Sequence, residues 1–201
     1  MARTRAAELA REITRRELLG AGLAVFVEKG YPAATISDIV RAAGVTQGTF
    51  YLYFRNKAEI FSAILQEYRH LIISGLFDVD LDSVRTAEDW LRMADRIAGF
   101  LIVHIKTHGG FIRLFMAEAG TIGSGFLDEA NAFSAGITRE IGRLLLHGLR
   151  MNLLREIDVE AAAIASMGAL KEAIHRCFFG SSDPHDIIPR VVRSQAQLLL
   201  R

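Results

Sequence analysis

The sequence predicts an all-α protein. Its 201 residues hold only three prolines, at positions 32, 184 and 189, and apolar residues recur at helical spacing through the long intervals between them. The apolar–polar alternation of half-buried strands is weak throughout. About half the residues are apolar, enough for a sizeable core, and the single cysteine, Cys177, excludes an intrachain disulfide and fits a reducing compartment.

Taken in order, a first helix from about Arg11 to Lys29 ends at Gly30. Thr35 can cap a second, to Ala43, and Asp38 puts a carboxylate at its positive end. Gly44 supplies the left-handed residue that closes it. Thr46 can cap a third, short helix carrying Gln47, Gly48, Thr49, Phe50 and Tyr51. Asn56 and Glu59 form a capping pair for a fourth over 57–76, whose apolar positions recur at three and four. Residues 78–85 are polar and read as a loop. Thr86 with Asp89 starts a helix to about Thr107, His108-Gly109-Gly110 breaks it, and a short helix follows over 111–118. Gly120, Gly123 and Gly125 mark a connection. Three helices complete the chain, over about 126–152, 159–179 and 184–200, the last announced by Asp183 at its cap and Pro184 at its first position.

The second and third helices with a glycine turn between them form a helix-turn-helix pattern, whose second helix enters the DNA major groove. Ile36, Ile39, Val40 and Ala43 make one apolar stripe, and Val45, Phe50 and Phe54 the matching one. Thr46, Gln47, Thr49, Tyr51 and Tyr53 are left for the outside, a face without a carboxylate, beside a Gly48 small enough for close approach to phosphates and base edges. Charge agrees. The net charge is only +1, but the residues through Lys57 carry nine basic and five acidic side chains, a balance of +4 that leaves −3 for the rest.

From about Thr14 to Leu65 the chain resembles the DNA-binding domain of the TetR family of bacterial regulators. The matching residues are Ala21 and Phe26, Gly30-Tyr31, Thr35, Ile39, Ala43-Gly44-Val45, Gly48-Thr49, Tyr51, Phe54, Lys57 and Ile60. Tyr53 stands where the family often has His, and Gly20 where it often has Ala. The resemblance implies a DNA-binding domain over 1–56 and a helical effector-binding and dimerisation domain over 57–201. It places Lys57 and Tyr51 on the DNA backbone with Tyr53 and the Thr35 cap assisting, and Gln47 and Thr49 toward the bases with Thr46 at the helix cap.

In the C-terminal body, large apolar side chains lie among glycines, which predicts a pocket lined by Phe100, His104, Phe115, Met116, Phe133 and Ile137, with His104 as its polar handle. TetR-type regulators commonly bind small effectors in such a body. The last two helices are apolar on too many sides for a surface, through Ala161–Ala165 and Met167–Ala169 in one and Ile187, Ile188, Val191, Val192 and Leu198–Leu200 in the other, which predicts a two-fold dimer seam.

Other constellations carry less. The 120–125 glycines lack a preceding strand and a Lys-Ser/Thr ending, so they do not make a phosphate loop. His104 and His108 have no obvious third metal ligand, Glu172 with His175 reads as a polar contact in a bundle, and Cys177 as packing. No catalytic, metal or cofactor site is expected. Charges run through residues 1–17, so no signal peptide is expected, and no charge-free apolar stretch reaches about 20 residues. The expectation is a cytoplasmic, homodimeric repressor that a small, largely apolar effector releases from an inverted-repeat operator. The alternatives are control of the same fold by a protein partner, or an enzyme using the histidine and glutamate pairs.

Overall fold

The structure, a computed structural model, describes residues 2–118 and 124–201. These form eight α-helices: α1 (Ala2–Lys29), α2 (Ile36–Ala43), α3 (Gln47–Tyr51), α4 (Lys57–Leu76), α5 (Ala87–Glu118), α6 (Ser124–Arg150), α7 (Val159–Phe179) and α8 (Pro184–Leu199). A 3-10 turn, Leu81–Ser83, punctuates the loop before α5, and an isolated antiparallel bridge pairs Leu154 with Leu200. The all-α expectation holds.

The described residues divide into two compact units. One takes those of Met1–Tyr68 and Leu114–Glu129, the other Arg69–Arg113 and Ala130–Arg201, so the boundaries fall inside α4, α5 and α6.

The first unit is built around fully buried Leu18 and Phe26 of α1, Ile39 of α2, Phe50 of α3 and Ile60 of α4. Phe26 meets Phe61 edge-on, ring centroids 5.0 Å apart, and Tyr31 lies 4.8 Å from Phe61. Gly22 lets α1 and α4 close together, since a Cβ there would stand 3.0 Å from the Ile60 Cδ1. The start of α4 differs from expectation in one bond. Asn56 caps it through the Glu59 amide at 2.9 Å, but the Glu59 carboxylate reaches back to the Arg55 amide, at 2.6 Å.

The second unit packs the early turns of α5 against α6, α7 and α8 around Trp90, Met93, Leu144, Leu145, Leu154 and Ile188, all buried. The Trp90 indole N–H donates to the Ala196 carbonyl at 3.3 Å, and the His147 ring holds the loop before α5 through the Val84 carbonyl at 2.9 Å. Thr86 and Asp89 cap α5 reciprocally, as expected.

α5 bears the break expected at His108-Gly109-Gly110 as a kink: His108 leaves helical geometry (φ −120°, ψ 19°), and a short helical stretch follows to Glu118. Gly109, beside the kink, also serves packing, because a Cβ there would press on the Phe178 ring of α7 at 3.3 Å. α6 starts at Ser124, so Gly125 is helical. Gly120 and Gly123, expected in a connection, lie outside the described residues.

Candidate nucleic-acid interface and effector cavity

The expected helix-turn-helix is present and locked by local hydrogen bonds. At its entry the Thr35 hydroxyl accepts from the Asp38 amide at 3.1 Å and donates to its carboxylate at 2.8 Å, while the Thr35 amide donates back to that carboxylate at 3.2 Å. Lys29 and Arg41 close on the other carboxylate oxygen, at 2.7 and 2.6 Å. The Lys29 hydrogen bond, then the Thr35 hydroxyl, lowers the Asp38 pKa to about 2. Asp38 is the only acidic residue between Lys29 and Glu59, and two cations neutralise it, so it offers little repulsion to a phosphate. Gly44 turns the chain at φ 67°.

On α3, Thr46 caps the helix by accepting from the Thr49 amide at 3.1 Å, and the two hydroxyls lie 3.0 Å apart. The Gln47 amide nitrogen donates to the Ser37 hydroxyl at 2.9 Å, which fixes the side chain against α2 and holds the two helices in register. Phe50 and Phe54 are buried beneath, and Tyr51 is 55% exposed. Gly48 is exposed, and a Cβ built on it would meet only the Thr46 hydroxyl, at 3.7 Å. The protein's own packing therefore does not require a glycine at 48, whereas an external surface approaching the helix would.

Two residues have their polar groups engaged within the motif. Thr35 is the cap expected of it and spends its hydroxyl on the capping box. Lys57 turns its ammonium inward, donating to the carbonyls of Tyr31, Ala34 and Pro32 at 2.7, 2.9 and 3.2 Å and lying 4.5 Å from the Tyr31 ring centroid. It clamps the loop that leads into α2. Sequence reasoning missed Arg11, exposed on α1, whose guanidinium lies over the Tyr53 ring at 5.8 Å and extends the basic rim beyond the motif. The two residues lie far apart in the chain, which leaves no periodic signal by which to find that pairing.

In the second unit, α5, α6, α7 and α8 with the end of α4 line a cavity of about 100 Å³ that is partly open to solvent. Trp90 and Met93 line it from α5, Ile137 and Ile141 from α6, Leu170 from α7 and Val192 from α8. Of the six residues expected around a pocket, Ile137 is the one that lines it. Phe100 and His104 lie further along α5, stacked with ring centroids 5.3 Å apart at 14°, and a Cβ on Gly75 would collide with the Phe100 ring. His104 is buried, and burial first, then the neighbouring His108, lowers its pKa to about 4, so the ring is neutral near pH 7. Phe133 is half-buried on α6, and Phe115 and Met116 belong to the first unit. Val192, expected in a dimer seam, borders this pocket. The exposed large apolar side chains of the last two helices are Ile164 and Phe179 on α7, 57% and 44% exposed, and Leu198 on α8, 58%. Ala165 is exposed beside Ile164.

No helix among the described residues is long and apolar enough to cross a membrane, and among them no three His, Cys, Asp or Glu side chains are grouped to hold a metal ion.

Residues 18–64 match the family model for bacterial regulatory proteins of the tetR family. The chain is similar to TtgW, an uncharacterized HTH-type transcriptional regulator of Pseudomonas putida, with 47% identity over 70 residues, which is 35% of this chain and 51% of TtgW. The chain spans between about a third and a half of the curated relatives it matches first. Solved structures match over nearly its whole length. A TetR-family regulator from Syntrophomonas wolfei superposes with a TM-score of 0.78 at 21% identity, covering 93% of this chain and 95% of that one. The regulator FadR from Bacillus subtilis, in complex with stearoyl-CoA, gives 0.73 at 22% identity, covering 92% and 97%. Residues 18–64 thus carry a head similar to that of the tetR family of bacterial regulatory proteins, and the full length shares the fold of these solved structures.

Proposed function

We propose that this chain is a DNA-binding transcriptional repressor that acts as a homodimer and leaves an inverted-repeat operator when a small, largely apolar effector occupies its second unit. The outer face of α3 carries the reading. It presents Thr46, Gln47, Thr49 and the exposed Tyr51 around a Gly48 with open space above it, on a helix whose other face is pinned by buried Phe50. Gln47 and Thr49 face base edges, Tyr51 and Tyr53 the phosphates, and Thr35 and Lys57 hold the entry to the motif. One such helix reads only a few base pairs, so specificity calls for two heads related by a two-fold axis. The exposed apolar face of α7 around Ile164 and Ala165, with Leu198 of α8, supports that pairing. The likeness to FadR bound to stearoyl-CoA supports a small-molecule effector. The effector's leverage on DNA binding equals its differential affinity for the free and DNA-bound states.

Selection from a random duplex library tests the reading. The wild-type chain should enrich an inverted repeat, and Gln47→Ala should change the preferred base at one position of each half-site. A library with no enriched sequence sinks the DNA reading. Sedimentation tests the dimer: Ala165→Glu would bury an unpaired charge in the seam and should give monomers.

A further inference from the structure

We infer that the second-unit cavity is a site for a small neutral ring or short-chain molecule carrying one hydrogen-bonding group, which Ser166 and Gln195 receive, and that it rejects anions. The inference rests on the effector reading above and fixes the chemical class it admits.

Size comes first. An apolar protein cavity of about 150 Å³ accommodates benzene. This one measures about 100 Å³ and is partly open, so its interior suits a five-membered ring or a chain of similar bulk and would bury only a short part of a long acyl chain. Charge comes second. Among the described residues, no Asp, Glu, Lys, Arg or His side chain lines the cavity. A carboxylate entering it would give up its hydration with no cation to replace it, a cost that the apolar lining does not offset. That separates the site chemically from one that holds an acyl-CoA.

Orientation comes third. Among the described lining side chains, those with a polar atom other than sulfur are Trp90, Ser166 and Gln195. The Trp90 N–H is committed to the Ala196 carbonyl, so tryptophan contributes its ring. The Ser166 hydroxyl and the Gln195 Oε1 lie 3.5 Å apart, longer than the roughly 2.5–3.0 Å of a good O–H···O bond. Both groups are half-buried and hold each other weakly. A ligand hydroxyl between them can accept from the Ser166 hydroxyl and donate to the Gln195 Oε1, replacing one long bond with two ordinary ones.

Trp90 is the only tryptophan in the chain and lines the cavity, so its fluorescence reports occupancy directly. The full chain is titrated with cyclopentanol and, separately, with cyclopentanecarboxylate at pH 7, both optically silent where tryptophan is excited. Cyclopentanol should give a saturable change, and the carboxylate should bind at least about tenfold more weakly. Gln195→Leu should weaken cyclopentanol about fivefold, the loss of one hydrogen bond. Ala94→Leu, which pushes a bulkier side chain into the space, should abolish the response, with far-ultraviolet circular dichroism confirming that the helices persist. No saturable change in the wild-type chain, or equal binding of alcohol and carboxylate, overturns the inference whatever the variants do. An undiminished response in folded Ala94→Leu places binding elsewhere and overturns it too. None of these readouts involves DNA, so failure here leaves operator binding standing. Binding of cyclopentanol without effect on a selected operator would instead count against the effector reading.

Discussion

The helix-turn-helix and the four-helix body contrast in what specifies them. In the head, position is fixed by short-range polar bonds: the Thr35–Asp38 capping box, the left-handed Gly44, the Thr46 cap and the Gln47–Ser37 bond. In the body, it is fixed by apolar surfaces meeting across long sequence separations, as where Trp90 of α5 reaches Ala196 of α8. The head is a surface whose side chains are held before anything binds. The body leaves room in an interior that is not completely filled. A recognition surface tolerates little local freedom, because a displaced donor misses its base edge, whereas a cavity for a small apolar molecule is defined by volume and lining.

The largest effect expected on this contrast comes from removing the one buried anchor of the recognition helix. α3 is only five residues long, and Phe50 is fully buried beneath it. Phe50→Ala should cost about 3–5 kcal/mol in chemical denaturation and abolish operator binding. Retention of wild-type affinity would mean that α3 is held by its caps alone.

The second test sets clamp against phosphate contact. Lys57 directs its ammonium at three carbonyls of the loop before α2. Lys57→Ala should lower stability by about 1.5–3 kcal/mol, the range for hydrogen bonds to a charged group. Because the ammonium is engaged internally, the dependence of operator affinity on salt should keep its slope. A slope smaller by about 1 with unchanged stability would restore lysine to the phosphates.

Lys57 also marks where the sequence stops being legible. The helix starts at Thr35, Thr46, Thr86 and Asp183 depend on residues within a few positions of one another, so the sequence displays them. The same holds for the bounds of α7, read as 159–179 and found there. What a long side chain does across a wide separation in the chain is not displayed, and so the inward turn of Lys57 and the Arg11–Tyr53 contact were not foreseen. Gly109 shows both sides: the break beside it at His108 is local and legible, whereas its packing role is set by Phe178, which belongs to a helix far along the chain. The cavity was hardest to place, because it is the space left after all lining side chains have settled, and among the expected residues only Ile137 borders it.

A smaller effect separates capping from packing. The Thr46 hydroxyl accepts the Thr49 amide at the first turn of α3. Thr46→Ala should cost about 1 kcal/mol, typical of a lost helix cap, and reduce operator affinity without changing the preferred sequence. A change in the selected base would move Thr46 from cap to reader.

The smallest effect tests whether the two regions, unlike in their packing, share the same local physics where local physics is all that acts. Asp38 begins α2 in the head and Asp89 begins α5 in the body. Each sits in a reciprocal threonine–aspartate cap, and each has its pKa lowered to about 2. The leading cause is the Lys29 hydrogen bond for Asp38 and the Thr86 hydroxyl for Asp89. A carboxyl whose folded pKa lies below its unfolded value stabilises the fold in the ionised form. The contribution is complete above the unfolded pKa near 3.8 and is lost as pH falls through about 2. Both carboxylates lie at the surface, though their side chains are only 13% and 21% exposed, so the loss should be small and partly screened by salt. Denaturation between pH 5 and pH 2 should therefore show a shallow fall in stability, and Asp38→Asn and Asp89→Asn should each flatten part of it, since an asparagine cap no longer titrates in that window. If only Asp38→Asn flattened the profile, the flanking Lys29 and Arg41 rather than the cap geometry would be the source of the coupling. Equal flattening by both would show that a helix start works alike in the specified surface and in the packed body.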